Sequence, residues 1–194
     1  MSTRAVGVTG VVAGITTRLL LGSKRALGIG LVLLLPIVIA IVFRTTDEAR
    51  NTLPTNFAED IVSSLILSLL LPFVALMMGT TAIGSEIEDG TVVFLLSKPI
   101  SRTKVLVVKA TVAALATAVL AVPATVATTW IITGTAGRGG LVAGLGLAAL
   151  IASIVYSALF VMLSTVTSRA LVIGLLYVFV WEGILGGLFS GWRG

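Results

Sequence analysis

The chain has 194 residues, 57% of them hydrophobic and 11% charged, with a formal net charge of +5. Soluble domains carry roughly 45–50% apolar and about 25% charged residues, and a chain this short cannot hide such an excess in one core, so the solvent for most of it is lipid. Cysteine and histidine are both absent, which removes disulfides, thiolate nucleophiles, Ser-His triads and HExxH zinc chemistry; no catalytic, cofactor-binding or metal-ligating residue is expected, and a membrane enzyme is the least expected function.

Residues 1–25 are modestly apolar, interrupted by Gly7, Gly10, Gly14 and Gly22, and end in Arg18, Lys24 and Arg25. Val12, Ile15 and Leu19 share a helical face, which predicts a short helix lying along the membrane surface; the alternative is a disordered basic tail. No cleavable signal peptide is expected, because the first strongly apolar run starts late, near Ala26, and is long enough to span. Five candidate spans follow, each near the ~20 apolar residues that a bilayer crossing needs: Ala26–Phe43, Ile61–Ile83, Val105–Ile132, Leu141–Leu163 and Ala170–Phe189. Pro36, Pro72 and Pro123 lie inside the first three and predict kinks, since neighbouring helices can satisfy the freed carbonyls. Gly140/Gly144 and Gly183/Gly187/Gly191 have the four-residue spacing of close helix approach. The expected fold is an all-α polytopic helix bundle in a single transmembrane domain. With an odd number of visible spans, a sixth crossing is expected beyond them.

Basic residues set the orientation. With a cytoplasmic N-terminus, Arg4, Arg18, Lys24, Arg25, Lys98, Arg102, Lys104, Lys109 and Arg169 fall inside, against Arg44, Arg50, Arg138 and Arg193 outside. The basic character therefore belongs to one face. It favours anionic lipid headgroups as partners and gives no reason to expect nucleic acid.

The segment between the second and third spans, residues 84–104, is unlike the other loops. Glu86, Glu88 and Asp89 come first, then Gly90-Thr91, the apolar block Val92–Leu96, a turn at Lys98-Pro99, and the basic Arg102 and Lys104. The order predicts a short helix between two turns at the membrane surface, with the carboxylates at its N-terminus, where they suit the helix dipole. A plain solvated loop or a lipid-binding basic loop would explain the charges. It would not explain an apolar block in an exposed position, which implies burial in lipid or in a partner.

Glycine-rich runs give no nucleotide site. Gly79–Glu86 has the glycine spacing of a phosphate loop without its lysine, and it follows a span where a strand is required. Gly144-Leu-Gly146-Leu-Ala-Ala149 lies within a span and reads as packing. Glu182 is the one carboxylate inside a span, placed in its outer half, where a charge is costly and functional by default. It suits a proton carrier or a counter-ion, or else a structural bond where the helix is broken by glycines.

The order Glu86-x-Glu88-Asp89-Gly90-Thr91, then Leu95-Leu96-Ser97-x-Pro99-Ile100-Ser101-Arg102, then Lys109 at the next span, resembles the permease subunits of type-2 ATP-binding-cassette exporters. Ile15–Pro36 and Leu176–Gly187, with Trp181-Glu182-Gly183, resemble the matching first and fifth segments. The resemblance covers most of residues 15–190. It implies six transmembrane helices, an N-terminal interfacial helix, a coupling helix in residues 84–104, and a re-entrant turn between the fifth and sixth spans. It also implies a multi-pass protein of the prokaryotic inner membrane with its N-terminus in the cytoplasm, acting as a dimer with a second permease copy or homologue. ATP and Mg would be bound by a separate cytoplasmic ATPase subunit, with no cofactor in this chain. The ATPase contact would then comprise Glu86, Ile87, Glu88, Asp89, Gly90, Thr91, Phe94, Leu95, Pro99 and Arg102. The competing functions are a proton-coupled carrier centred on Glu182 and a non-transporting membrane scaffold.

Overall fold

Hydrocarbon offers no partner for a peptide group, so each apolar run must close its own backbone bonds. The computed structural model describes residues 24–46, 53–88, 102–134, 140–167 and 169–180, and the regular structure among them is entirely helical. The interfacial helix expected over residues 1–25 lies outside the described residues except at Lys24 and Arg25, which begin the first span.

Helix α1 is Lys24–Thr45. Ile29, Leu33, Pro36, Ala40 and Phe43 are buried along one face, while Leu31, Leu34, Leu35, Val38, Ile41 and Val42 point outward. The next span runs unbroken from Pro54 to Glu88 but changes pitch twice: α2 (Pro54–Asp60), a π-helical stretch (Ile61–Leu70) and α3 (Leu71–Glu88). Pro54 opens it, where a missing N–H costs nothing. At the lower junction the Leu71 N–H donates to the Ile66 carbonyl, five residues back. Pro72 explains that junction: it has no N–H, and its ring would press on the Ser68 carbonyl in a regular α-helix. The wider π turns just above it open that space. Pro36 and Pro123 are carried inside α1 and α4 without a break.

Helix α4 is Arg102–Thr133, α5 is Gly140–Val166 and α6 is Ala170–Val180. Four helical spans, Gly28–Thr45, Pro54–Ala82, Val105–Thr133 and Gly140–Val166, are long and apolar enough to cross a membrane. The expected fifth span is described only as far as Val180. Side-chain clusters fix the directions. Ala82 of α3 packs with Ala113 of α4 and Val161 of α5, and Leu71 packs with Ala121 and Ala149. Helix α4 therefore runs antiparallel to both α3 and α5. Ile29 and Leu33 join Val112 and Ala116, and Ala40 and Phe43 join Ile132, so α1 is parallel to α4. Val178 of α6 joins Ala75 and Phe160. Lys24, Glu88, Arg102, Val166 and Ala170 thus share one end of the bundle. Thr45, Pro54, Thr133 and Gly140 share the other.

The seam between α4 and α5 is made largely of small residues, while Phe160, Ile66, Leu71 and Leu76 fill the core around it. Ala113, Thr117, Ala121, Thr125 and Thr129 form a fully buried row on α4, facing Ala149, Ser153 and Ser157 of α5, which are also fully buried. Leu115, Val119, Leu147, Ile151, Leu171 and Leu176 face outward. In lipid, apolar burial does not drive helices together, and close packing of small side chains does. Backbones cross closely at Gly79, where an added Cβ would meet Phe160 Cβ at 3.0 Å and the Val161 backbone nitrogen at 3.2 Å; at Gly174 of α6 it would run into the movable end of Leu76. Gly146 likewise faces Val126, at 3.1 Å. Gly140 and Gly144 have nothing within 4 Å of an added Cβ, so the expected close approach at that pair does not occur within this chain. The helix seam takes up Gly146 and Ala149 instead. The glycines at 183, 187 and 191 lie outside the described residues.

Two substitutions separate these cases. Gly79→Val should lower the thermal unfolding temperature of the detergent-solubilised protein, with an overpacking cost of about 1–3 kcal/mol. Gly144→Ala should leave it unchanged or raise it, because helix interiors favour Ala over Gly by about 1 kcal/mol. Equal effects at the two positions would refute this account of the crossing.

Candidate functional site

The segment singled out by its sequence joins two packed antiparallel helices. Helix α3 ends at Glu88 and α4 begins at Arg102, so residues 89–101 connect two helix ends that lie on the same side of the bundle. Asp89, Gly90, Thr91, Phe94, Leu95 and Pro99 lie outside the described residues, as does Glu182. Glu86, Ile87 and Glu88 are not at the start of a separate short helix, as expected from their dipole preference. They form the last turn of α3, which has no basic residue of its own there. Carboxylates at a helix C-terminus oppose the dipole, at roughly 0.3–1 kcal/mol each.

The side chain that organises this end was not among the expected site residues. Lys109, counted from sequence with the basic residues of the membrane surface, is buried at 3% exposure, and its Nζ donates to the Ala82 carbonyl at 2.9 Å. It stands about two turns inside α4 and Ala82 about two turns inside α3, so the bond crosses between the helices at matched height. Directly beyond it lies the cluster of Ala82, Ala113 and Val161, with Leu106 and Ala110 packed against it. The sequence carried a signal for this: Lys109 is the first member of the four-residue row that continues through Ala113, Thr117, Ala121, Thr125, Thr129 and Thr133, all buried. A lysine in register with a small-residue face points into the protein.

At the opposite end Arg44 plays a related part. Its Nη1 donates to the Ile131 carbonyl at 2.9 Å, near the end of α4, and its guanidinium covers Gly134, which has φ +55°. A cation on the last carbonyls of a helix and a left-handed glycine just beyond them are both favourable terminations.

Comparison with protein families matches residues 12–192 to the ABC-2 family transporter protein model. The match spans nearly the whole chain, including both helices that flank residues 89–101. The chain belongs to the ABC-2 transporter family. No curated protein and no solved structure gives a significant match. It is accordingly a multi-pass membrane component of an ABC transporter, a class that works with an ATP-binding subunit.

In this ABC-2 permease the hydroxyls that stand out in the sequence are mostly spent on structure. Thr117 donates to the Ala113 carbonyl, Thr125 to Ala121 and Thr129 to Thr125, at 2.8–2.9 Å. Ser63 and Ser64 donate to the Glu59 and Asp60 carbonyls. Ser157 donates to Thr117 Oγ1 at 3.2 Å, bridging α5 and α4. Thr128 Oγ1 and Ser164 Oγ are buried with no such bond. The threonine row of α4 therefore faces neighbouring helices of the same chain and does not line an open route.

Thr117→Val and Ser157→Ala should each destabilise the ABC-2 permease in a detergent unfolding assay. Their coupling energy should be about 0.6 kcal/mol, the value typical of interhelical hydrogen bonds in membranes. A double-mutant cycle with zero coupling would show that the two hydroxyls act independently.

Proposed function

We propose that this chain is the permease half of an ATP-driven exporter, working as a dimer with a second copy or a homologue and coupled through residues 84–104 to a separate cytoplasmic ATPase that binds ATP and Mg. The observation that carries the reading is the family match over residues 12–192, taken with a topology in which the charged, apolar-centred segment connects termini of α3 and α4 that share one end of the bundle. That end also holds Lys24, Arg25, Lys104 and Arg169. Such an excess of basic residues supports a cytoplasmic placement and a cytoplasmic N-terminus.

On this reading nucleotide-driven closure of the ATPase displaces residues 87–96, seated in a groove of each ATPase subunit, and α3 and α4 carry that displacement across the bilayer. Glu86, Glu88 and Asp89 position the element through attraction to basic groups on the ATPase, which accounts for carboxylates at a helix end that does not favour them. Thr91, Phe94 and Leu95 provide apolar contact. Lys98, Arg102 and Lys104 hold the turn at anionic headgroups.

Two measurements test it. The chain has no cysteine, so single substitutions report topology without background: Thr91→Cys should react with an impermeant maleimide only from the cytoplasmic side, and Arg138→Cys only from the outside. Glu86→Ala or Arg102→Ala should lower the ATPase activity of the co-purified complex while membrane insertion stays normal. Unchanged coupled turnover in both variants would remove the contact from this segment.

A further inference from the structure

The coupling reading needs α3 and α4 to move together. Two antiparallel apolar helices in lipid can slide past one another, because their packing is made of many weak contacts. A push at residues 89–101 would then be absorbed as shear. We propose that Lys109 is the positioning residue that prevents this, pinning α4 to α3 through the Ala82 carbonyl so that both flanks of the segment move as one body. The proposal rests on the coupling reading and names the residue that makes it work.

Three observations converge on the same level of the bundle. The Lys109 ammonium is 3% exposed and donates across the helix boundary at 2.9 Å. Sliding at this point would stretch a charge-assisted hydrogen bond in a dry interface, which resists displacement more than an apolar contact does. Ala82 and Ala113, beside the bond, let the two helices approach closely, and Val161 of α5 closes the same cluster. One turn away Gly79 lies against the Phe160 and Val161 backbone, and Ser157 is bonded to Thr117. Helices α3, α4 and α5 are thus locked together here. Helix α6 leans on α3 through the flexible end of Leu76, and α1 through the larger side chains Ile29 and Leu33.

The test uses the full chain with its ATPase partner in liposomes. A cysteine at Thr46, outside α1, reports ATP-dependent change at the far end by its maleimide reactivity. If the complex with native Lys109 shows no ATP-dependent change, the coupling reading fails, whatever Lys109 does. If it does show one, Lys109→Met should reduce that change about tenfold, the equilibrium effect of one charge-assisted hydrogen bond. ATPase binding should persist, and Lys109→Arg should restore most of the change. A full response in Lys109→Met overturns the proposal. A second measurement keeps Lys109 intact, so it does not depend on the variant folding: the intrachain distance between spin labels at Ser85→Cys and Thr103→Cys should stay constant through the ATP cycle. A distance that changes with nucleotide overturns the rigid pair.

Discussion

The bundle depends on how closely α3, α4 and α5 approach. Gly79 has no room for a methyl group against the Phe160 and Val161 backbone, and the facing row on α4 carries nothing larger than threonine between Ala113 and Thr129. Hydrocarbon weakens the usual driving force for burying leucine, and the closest seam, between α4 and α5, is built mainly of glycine, alanine, serine and threonine. The polar atoms this brings inside are bonded almost where they arise. Most threonine hydroxyls of α4 donate to the carbonyl one turn back, which lets a polar residue occupy a dry interface without a partner on another helix.

Against that frame of short, local bonds, Lys109 and Arg44 are exceptions of one kind. Each sends a cation to a carbonyl of a different helix, Lys109 within α3 and Arg44 near the end of α4. Helix C-termini are where unpaired carbonyls and the negative end of the dipole collect. Arg44 reaches one of the last carbonyls of α4 and so caps that helix, whereas Lys109 bonds a carbonyl about two turns inside α3 and ties two helices within their length.

The spans themselves were legible because membrane helices announce themselves by length and apolarity, and the basic residues that sort to one end could be read from the same string. Three features were not. The change of pitch between Ile61 and Leu70 arises from Pro72 meeting its own upstream carbonyls, and a proline in a span predicts only some local disturbance. Gly140 and Gly144 have the spacing of a packing motif but face open space, while Gly79, with no second glycine four residues away, lies against the Phe160 and Val161 backbone. Spacing says which residues share a face, not which face meets a neighbour. Lys109 was read as a surface charge because lysines near a span boundary usually are. Its alignment with Ala113 and Thr117 held the contrary information. The segment between the second and third spans drew attention through composition alone, and Glu86 and Glu88 at its start belong to the preceding helix.

The bridge between Thr117 and Ser157 has a consequence for how the protein is made. Helices α4 and α5 are close in sequence and share the most extensive contact among the described helices. Nearly all the hydroxyls on their facing sides are satisfied within the pair. Such a hairpin can leave the insertion machinery and enter lipid as a finished unit, presenting leucine and valine to the acyl chains while its polar seam stays closed. Helix α6, which follows them in the chain, then meets a surface that is already assembled.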